Sequence, residues 1–140
     1  PRTEGDLDEG YYVEPTIFTN VDTNMRIAQE EIFGPVLTVF KVADLEEAVS
    51  ITNNVKFGLS SSIYTMDIPQ AFRYIDTVET GIVHVNSPTL GGEVHLPFGG
   101  MKESGVGTRE QGTEAINFFT EPVTVYIDYS SAARAQAKFI

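Results

Sequence analysis

The chain has 140 residues, 41% of them hydrophobic, which is apolar material for one ordinary domain with one core. Nine Lys and Arg against twenty Asp and Glu give a formal charge of -11 with no basic run, which argues against nucleic acid or an anionic membrane surface as a partner. No apolar stretch has the length of a membrane-spanning helix and no secretory h-region opens the chain; the absence of cysteine, with only two histidines, excludes a disulfide framework and a structural zinc site.

The chain begins at Pro1 with the polar, glycine-punctuated run Arg2 to Gly10, which reads as a cut through a surface loop. Residues 36–42 (VLTVFKV) are β-branched and aromatic, fit for a mostly buried strand. Asp44, with Glu47 three residues on, is a close relative of a capping box. Leu45, Ala48, Val49 and Thr52 then fall on one helical face. Asn53, Asn54 and Gly58 stop that helix, and residues 59–64 form a strand of small residues. A second helix starts at Asp67. Pro69 is tolerated in its first turn, and Ile68, Ala71, Phe72, Ile75 and Val78 make its apolar stripe. Gly81 ends it, and Ile82 to Asn86 is a third strand. Two successive strand–helix–strand units predict parallel pairing with right-handed crossovers, and so an α/β fold.

The flanks read differently. Residues 87–108 carry eight Gly or Pro positions (Pro88, Gly91, Gly92, Pro97, Gly99, Gly100, Gly105 and Gly107) and little periodicity, the mark of a long functional loop. Arg109 to Phe118 can form a short helix with Ala115 and Phe118 or Phe119 inward. Pro122 to Tyr129 alternates as a strand with Val123, Val125 and Ile127 on one face, and residues 130–140 read as a tail.

Two motifs stand out: Gln29-Glu30-Glu31-Ile32-Phe33-Gly34-Pro35-Val36 and Pro97-Phe98-Gly99-Gly100-Met101-Lys102-Glu103-Ser104-Gly105. They resemble the C-terminal part of the NAD(P)-dependent aldehyde dehydrogenase family. The similarity extends through Gly10 to Phe18, Asn53-Asn54, Phe57-Gly58-Leu59, Gly81 to Asn86 and Arg109-Glu110, covering residues 5 to 129. The resemblance implies an α/β fold in which residues 1–118 are the C-terminal part of a catalytic domain with a mostly parallel or mixed sheet and flanking helices. Residues 119–129 would be an oligomerisation strand that adds to a neighbouring subunit, and the protein a homo-oligomer. It also implies oxidation of an aldehyde to a carboxylic acid with NAD or NADP through a cysteine thiohemiacetal and thioester. The cysteine, its general-base glutamate and the Rossmann domain would lie upstream of this stretch, in a cytoplasmic protein, and the present chain alone would be inactive.

Chemistry gives each residue a role within that resemblance. A carboxylate accepts hydrogen bonds from a vicinal diol, so Glu31 would hold the nicotinamide ribose while Glu30 is a solvated helix end. Phe33 would touch the nicotinamide ring or pack only. Phe98 resembles the aromatic wall of the aldehyde tunnel, where an apolar surface excludes competing water; its alternative is a core phenylalanine anchoring a loop. Asn86, at a strand end, reads as an anchor of the substrate loop, and Ser87 opens that loop. Residues 87–96, with Glu93 and His95, together with Gly107 to Gly112, look like the bacterial or archaeal semialdehyde dehydrogenases and suit an aldehyde with a second polar or acidic group. Lys102 reads as a loop brace and His84 as a sheet-facing structural histidine.

Simple parallel strands would put Glu31 and Phe98 at opposite ends of the sheet. A shared site therefore requires a mixed sheet or a glycine-rich loop that folds back across it. The competing function class is a noncatalytic assembly or interaction module.

Overall fold

A computed structural model describes residues 10–129; the opening run to Glu9 and the tail 130–140 lie outside the described residues. In chain order the elements are β1 (Thr16–Phe18), α1 (Arg26–Gln29), β2 (Val36–Thr38), α2 (Leu45–Asn53), β3 (Phe57–Gly58), β4 (Ser60–Ile63), α3 (Ile68–Thr77), β5 (Ile82–Val85), β6 (Met101–Lys102) and α4 (Gly112–Phe119).

Both long helices start where the sequence places them. Asp44 caps α2 by accepting a hydrogen bond from the Glu47 amide (2.9 Å), and the Glu47 carboxylate reaches back to the Ala43 amide (2.7 Å), so two otherwise unpaired donors are satisfied reciprocally. Asp67 caps α3 through the Gln70 amide (3.1 Å), with Pro69 in the first turn where its missing N–H costs nothing. β4 and β5, joined by α3, pair in parallel with Ser60 opposite Ile82 and Ile63 opposite Val85.

The first predicted strand–helix–strand unit does not close in the same way. β2 pairs in parallel with β1, Thr16 opposite Val36, and not with β4. β2 also stops at Thr38, four residues short of the prediction. β1 ends at Phe18, whose carbonyl still takes the Val39 amide (2.9 Å), and a strand persists only while a neighbour supplies its hydrogen bonds. The short β3 pairs antiparallel with β6, so the strands are mixed in direction.

The predicted single core is much smaller than composition suggests. Among the described residues the buried hydrophobic side chains are Tyr74 and Val78, beside Ser61 and Thr80, whose hydroxyls share a hydrogen bond of 2.7 Å. Of the expected stripe only Val78, the C-cap of α3, is buried and Ala71 is half-buried, while Ile68, Phe72 (62% exposed) and Ile75 are open to solvent; the buried residue of the helix itself is Tyr74, outside that stripe. A two-stranded sheet offers the helix one line of contact, too narrow for the full stripe. α4 starts three residues later than expected and leaves Phe118 and Phe119 exposed, their rings edge to face, against the prediction that one would point inward. The strand predicted over residues 122–129 does not form among the described residues: the segment is irregular, with Val123, Val125 and Ile127 exposed. An alternating sequence can become a strand only against another strand.

The glycine-rich segment does fold back. Phe98 and Glu110 exchange both backbone hydrogen bonds (2.7 and 2.8 Å), and β6 then crosses to β3. Gly81 is where the return passes closest: a Cβ there would collide with the Gly99 carbonyl, so no larger residue lets the loop lie across the start of β5.

Candidate functional site

The return loop brings both sequence motifs to the same end of the β4–β5 pair. One cleft of about 430 Å³ is lined by Gln29, Glu30 and Glu31 on one side and by Gly58, Leu59, Ser60, Thr80 and Ser104 on the other. An adjoining cleft of about 330 Å³ is lined by Phe98, Gly99, Ser104 and Glu110, and shares Leu59 and Ser104 with the first. The topological difficulty in the sequence is thus removed by the fold-back of residues 98–104.

The two adjacent glutamates of the first motif differ in their partners. Glu30 accepts two hydrogen bonds from the Arg26 guanidinium (2.9 and 2.8 Å), which hold its carboxyl below the usual carboxylate range and raise Arg26 in turn. Among the described residues Glu31 has no hydrogen bond or ion pair, and it stands exposed on the cleft wall. Glu30 is therefore occupied and Glu31 is available as an acceptor. Phe33 is 89% exposed and sits at φ +54°, a backbone conformation that costs a bulky residue on the order of 1 kcal/mol or more. Nothing in its own packing offsets that cost.

Phe98 is 37% exposed and separates two cavities. On one side is the cleft containing Ser104; on the other is a cavity of about 400 Å³ lined by His84, Glu93, Leu96 and Gln111. His95, exposed, does not line these cavities. Asn86, at φ +57°, spends its side chain on the turn after β4: its Oδ1 accepts from the Thr65 amide (2.9 Å) and its Nδ2 donates to the Thr65 carbonyl (3.0 Å). Ser87 follows, its carbonyl accepting from the Ser62 hydroxyl and its Oγ 3.4 Å from His84 Nδ1. Asn86 and Ser87 hold the start of the loop and are not on the walls of the three cavities around Phe98 and Glu31. His84 is half-buried in β5, with its Nε2 buried and unpaired among the described residues; the Gln111 Oε1 is likewise unpaired.

Three further residues organise the site. Gln29 donates from one amide nitrogen to the Thr23 carbonyl (2.7 Å) and the Asn54 carbonyl (2.8 Å). Lys102, at 22% exposure, donates to the carbonyls of Asn53 (2.6 Å) and Val55 (3.1 Å) and pairs with Glu79 (2.8 Å). The Ser104 hydroxyl accepts from the Gly58 amide (3.1 Å), fixing the residue common to both clefts. Gln29 and Ser104 lie inside the quoted motifs, yet their partners are 25 and 46 residues away, a separation that no local pattern encodes. Among the described residues no cluster of His, Asp and Glu could hold a metal, and no helix is long and apolar enough to cross a membrane.

Comparison with known proteins identifies the family of the chain. The model of the aldehyde dehydrogenase family matches residues 2–125. The chain is 51% identical over 124 residues to an alpha-ketoglutarate semialdehyde dehydrogenase of Haloferax volcanii, covering 88% of this chain and 26% of that protein. It is 50% identical over 123 residues to the Bacillus subtilis alpha-ketoglutaric semialdehyde dehydrogenase, with 88% and 25% covered. The crystal structure of a Mycobacterium tuberculosis aldehyde dehydrogenase complexed with NAD+ superposes with a TM-score of 0.78 at 41% identity, over 86% of this chain and 24% of that one. The chain spans about a quarter of the length of these relatives.

Proposed function

The chain belongs to the aldehyde dehydrogenase family, and from that premise we propose that the whole protein oxidises an aldehyde to a carboxylic acid with NAD or NADP, this stretch holding the nicotinamide ribose and the aldehyde. The cysteine nucleophile and its base belong to sequence outside the 140 residues, which contain no cysteine. When bound, the dinucleotide accepts the hydride that the aldehyde carbon loses. The residues here fit such a group: an unpartnered carboxylate on a cleft wall, with an exposed aromatic ring two residues further on.

The observation that carries the reading is the contrast between paired Glu30 and free Glu31 on a cleft that adjoins the Phe98 wall. Glu31 accepts the ribose hydroxyls and so orients the ring. The Phe33 ring, held outward by its backbone, limits where the nicotinamide can lie. Phe98 gives the aldehyde an apolar wall and keeps water from the reacting carbonyl. Asn86 and Ser87 fix the root of the substrate loop. The substrate is a semialdehyde, supported by the two relatives at about half identity and by the polar Glu93 and His84 beside Phe98.

Glu31→Gln in the full-length enzyme tests the cofactor half. A hydrogen bond to a charged acceptor is worth about 1.5–3 kcal/mol, so dinucleotide binding weakens by roughly 10- to 100-fold while aldehyde KM changes little; unchanged binding defeats the assignment. Phe98→Ala does the reverse, raising aldehyde KM with dinucleotide affinity retained.

The assembly reading also has an observation behind it. Val123, Val125 and Ile127 alternate on an exposed segment that has no strand partner among the described residues, as a strand awaiting a neighbouring subunit's sheet edge would. In this reading the protein is a homo-oligomer, and Val125→Lys in the full-length protein lowers the mass measured by light scattering.

A further inference from the structure

We propose that Gln29 and Lys102 are positioning residues for the Glu31 carboxylate, acting through the backbone of residues 53–55; the inference rests on Glu31 being the dinucleotide-binding group. α1 is four residues long, has no buried residue and makes no side-chain N-cap bond. A helix of one turn does not hold itself, so its orientation must be imposed from outside. Gln29 is its last residue, and the chain reaches Glu31 two residues later. The Gln29 amide ties that exit to the Asn54 carbonyl and the Thr23 carbonyl.

The carbonyls on either side of Asn54 belong to Lys102. Its ammonium takes Asn53 and Val55, at the C-terminal end of α2 where the helix dipole favours a cation, and Glu79 neutralises it from the far side. The Asn53 side chain bridges the Thr77 carbonyl and the Glu79 amide at the end of α3, both at 2.8 Å. Three consecutive carbonyls, 53 to 55, are thus held in alternation by the second motif, the first and the second. Lys102 adopts φ +53° to reach them, and Ser104, two residues on, forms the opposite wall of the Glu31 cleft. The segment 53–55 is a strut between the two motifs, and its bonds set the gap in which the ribose is gripped.

The experiment uses the full-length enzyme with Gln29→Leu, Lys102→Met, the double variant, the donor-preserving Gln29→Lys and, as reference, Glu31→Gln. The equilibrium dissociation constant of NADH or NADPH is read from cofactor fluorescence, beside aldehyde KM, kcat and thermal unfolding. Gln29→Leu and Lys102→Met each weaken NAD(P)H binding about tenfold, with aldehyde KM within twofold, for a loss on the order of one hydrogen bond. The double variant binds no worse than the weaker single variant, since both remove one strut. Gln29→Lys stays near wild type and covers the case in which Gln29→Leu folds poorly. If Glu31→Gln weakens binding while both single variants remain within twofold of wild type, the strut is overturned and the Glu31 role stands. If Glu31→Gln itself leaves binding unchanged, the underlying role falls. A parallel loss of cofactor affinity, aldehyde KM and melting temperature in the strut variants marks a merely structural brace and also overturns the proposal.

Discussion

Residues 44–86 and residues 87–111 are built on opposite principles. In the first stretch both helix starts are made by neighbours in sequence, and only the short β3 depends on the distant β6: Asp44 bonds the amide three residues on, Asp67 does the same, and α3 carries the chain directly from β4 to its parallel partner β5. In the second almost every defining bond is long-range: Lys102 to Asn53, Ser104 to Gly58, β6 to β3. Positive φ at a non-glycine residue goes with such distant bonds in both stretches: Asn86 bonds the Thr65 backbone, and Lys102 reaches the carbonyls of Asn53 and Val55. The lesson is that the site is assembled by the region with the least local structure, and that the locally encoded region serves as its bench.

Variants of the full-length protein can break or sharpen that contrast, the largest effect first. Gly81→Val puts side-chain atoms where the Gly99 carbonyl lies, and should cost about 3 kcal/mol, read as a lowered denaturant midpoint, because neither backbone can yield. If the midpoint holds, the return loop does not lie across the start of β5. Asn86→Ala removes both bonds to the Thr65 backbone from a residue at positive φ, and about 2 kcal/mol is the expected loss; Asn86→Gly, which relieves the backbone, should lose less. Asp67→Ala deletes one cap and should cost about 1 kcal/mol, with most of it recovered by Asp67→Asn.

The smallest effect is one of pH. The Arg26 hydrogen bonds depress the Glu30 carboxyl in the folded state, so the pair's stabilisation is complete above the ordinary carboxylate range and is lost as pH falls through the depressed value. Both groups are exposed and their order opposes the helix dipole, so Glu30→Gln should change melting only marginally at neutral pH, and not at all in acid. A difference that grows toward acid would reverse the assigned sign.

Much of this was legible in the residues themselves. Asp44 with Glu47, and Asp67 with Pro69, fixed two helix starts, because a cap is a bond between residues three apart. Glu31 and Phe98 taken together left two alternatives, a mixed sheet or a fold-back of the glycine-rich loop, and neither the choice nor the route of residues 98–104 was visible in the residues. The outward face of α3, with Ile68 and Phe72 exposed, was not legible. Hydrophobic periodicity shows that a stripe wants covering without showing what covers it. For the same reason Val123 to Ile127 reads as a strand in sequence and remains irregular where the described residues offer no partner.

The sequence by itself determined the starts of α2 and α3, the parallel β4–β5 unit and the family, since each depends on residue identity or short spacing, and through the family resemblance it pointed to Glu31 as the candidate carboxylate. Only the tertiary structure decided that Glu31 stands free on a cleft that adjoins the Phe98 wall, that Asn86 spends its amide on a turn, and that Gln29 and Lys102 meet on one three-residue strut. Hydrogen-bond partners dozens of residues apart are chosen by how the chain closes on itself, and that closure leaves no period in the sequence.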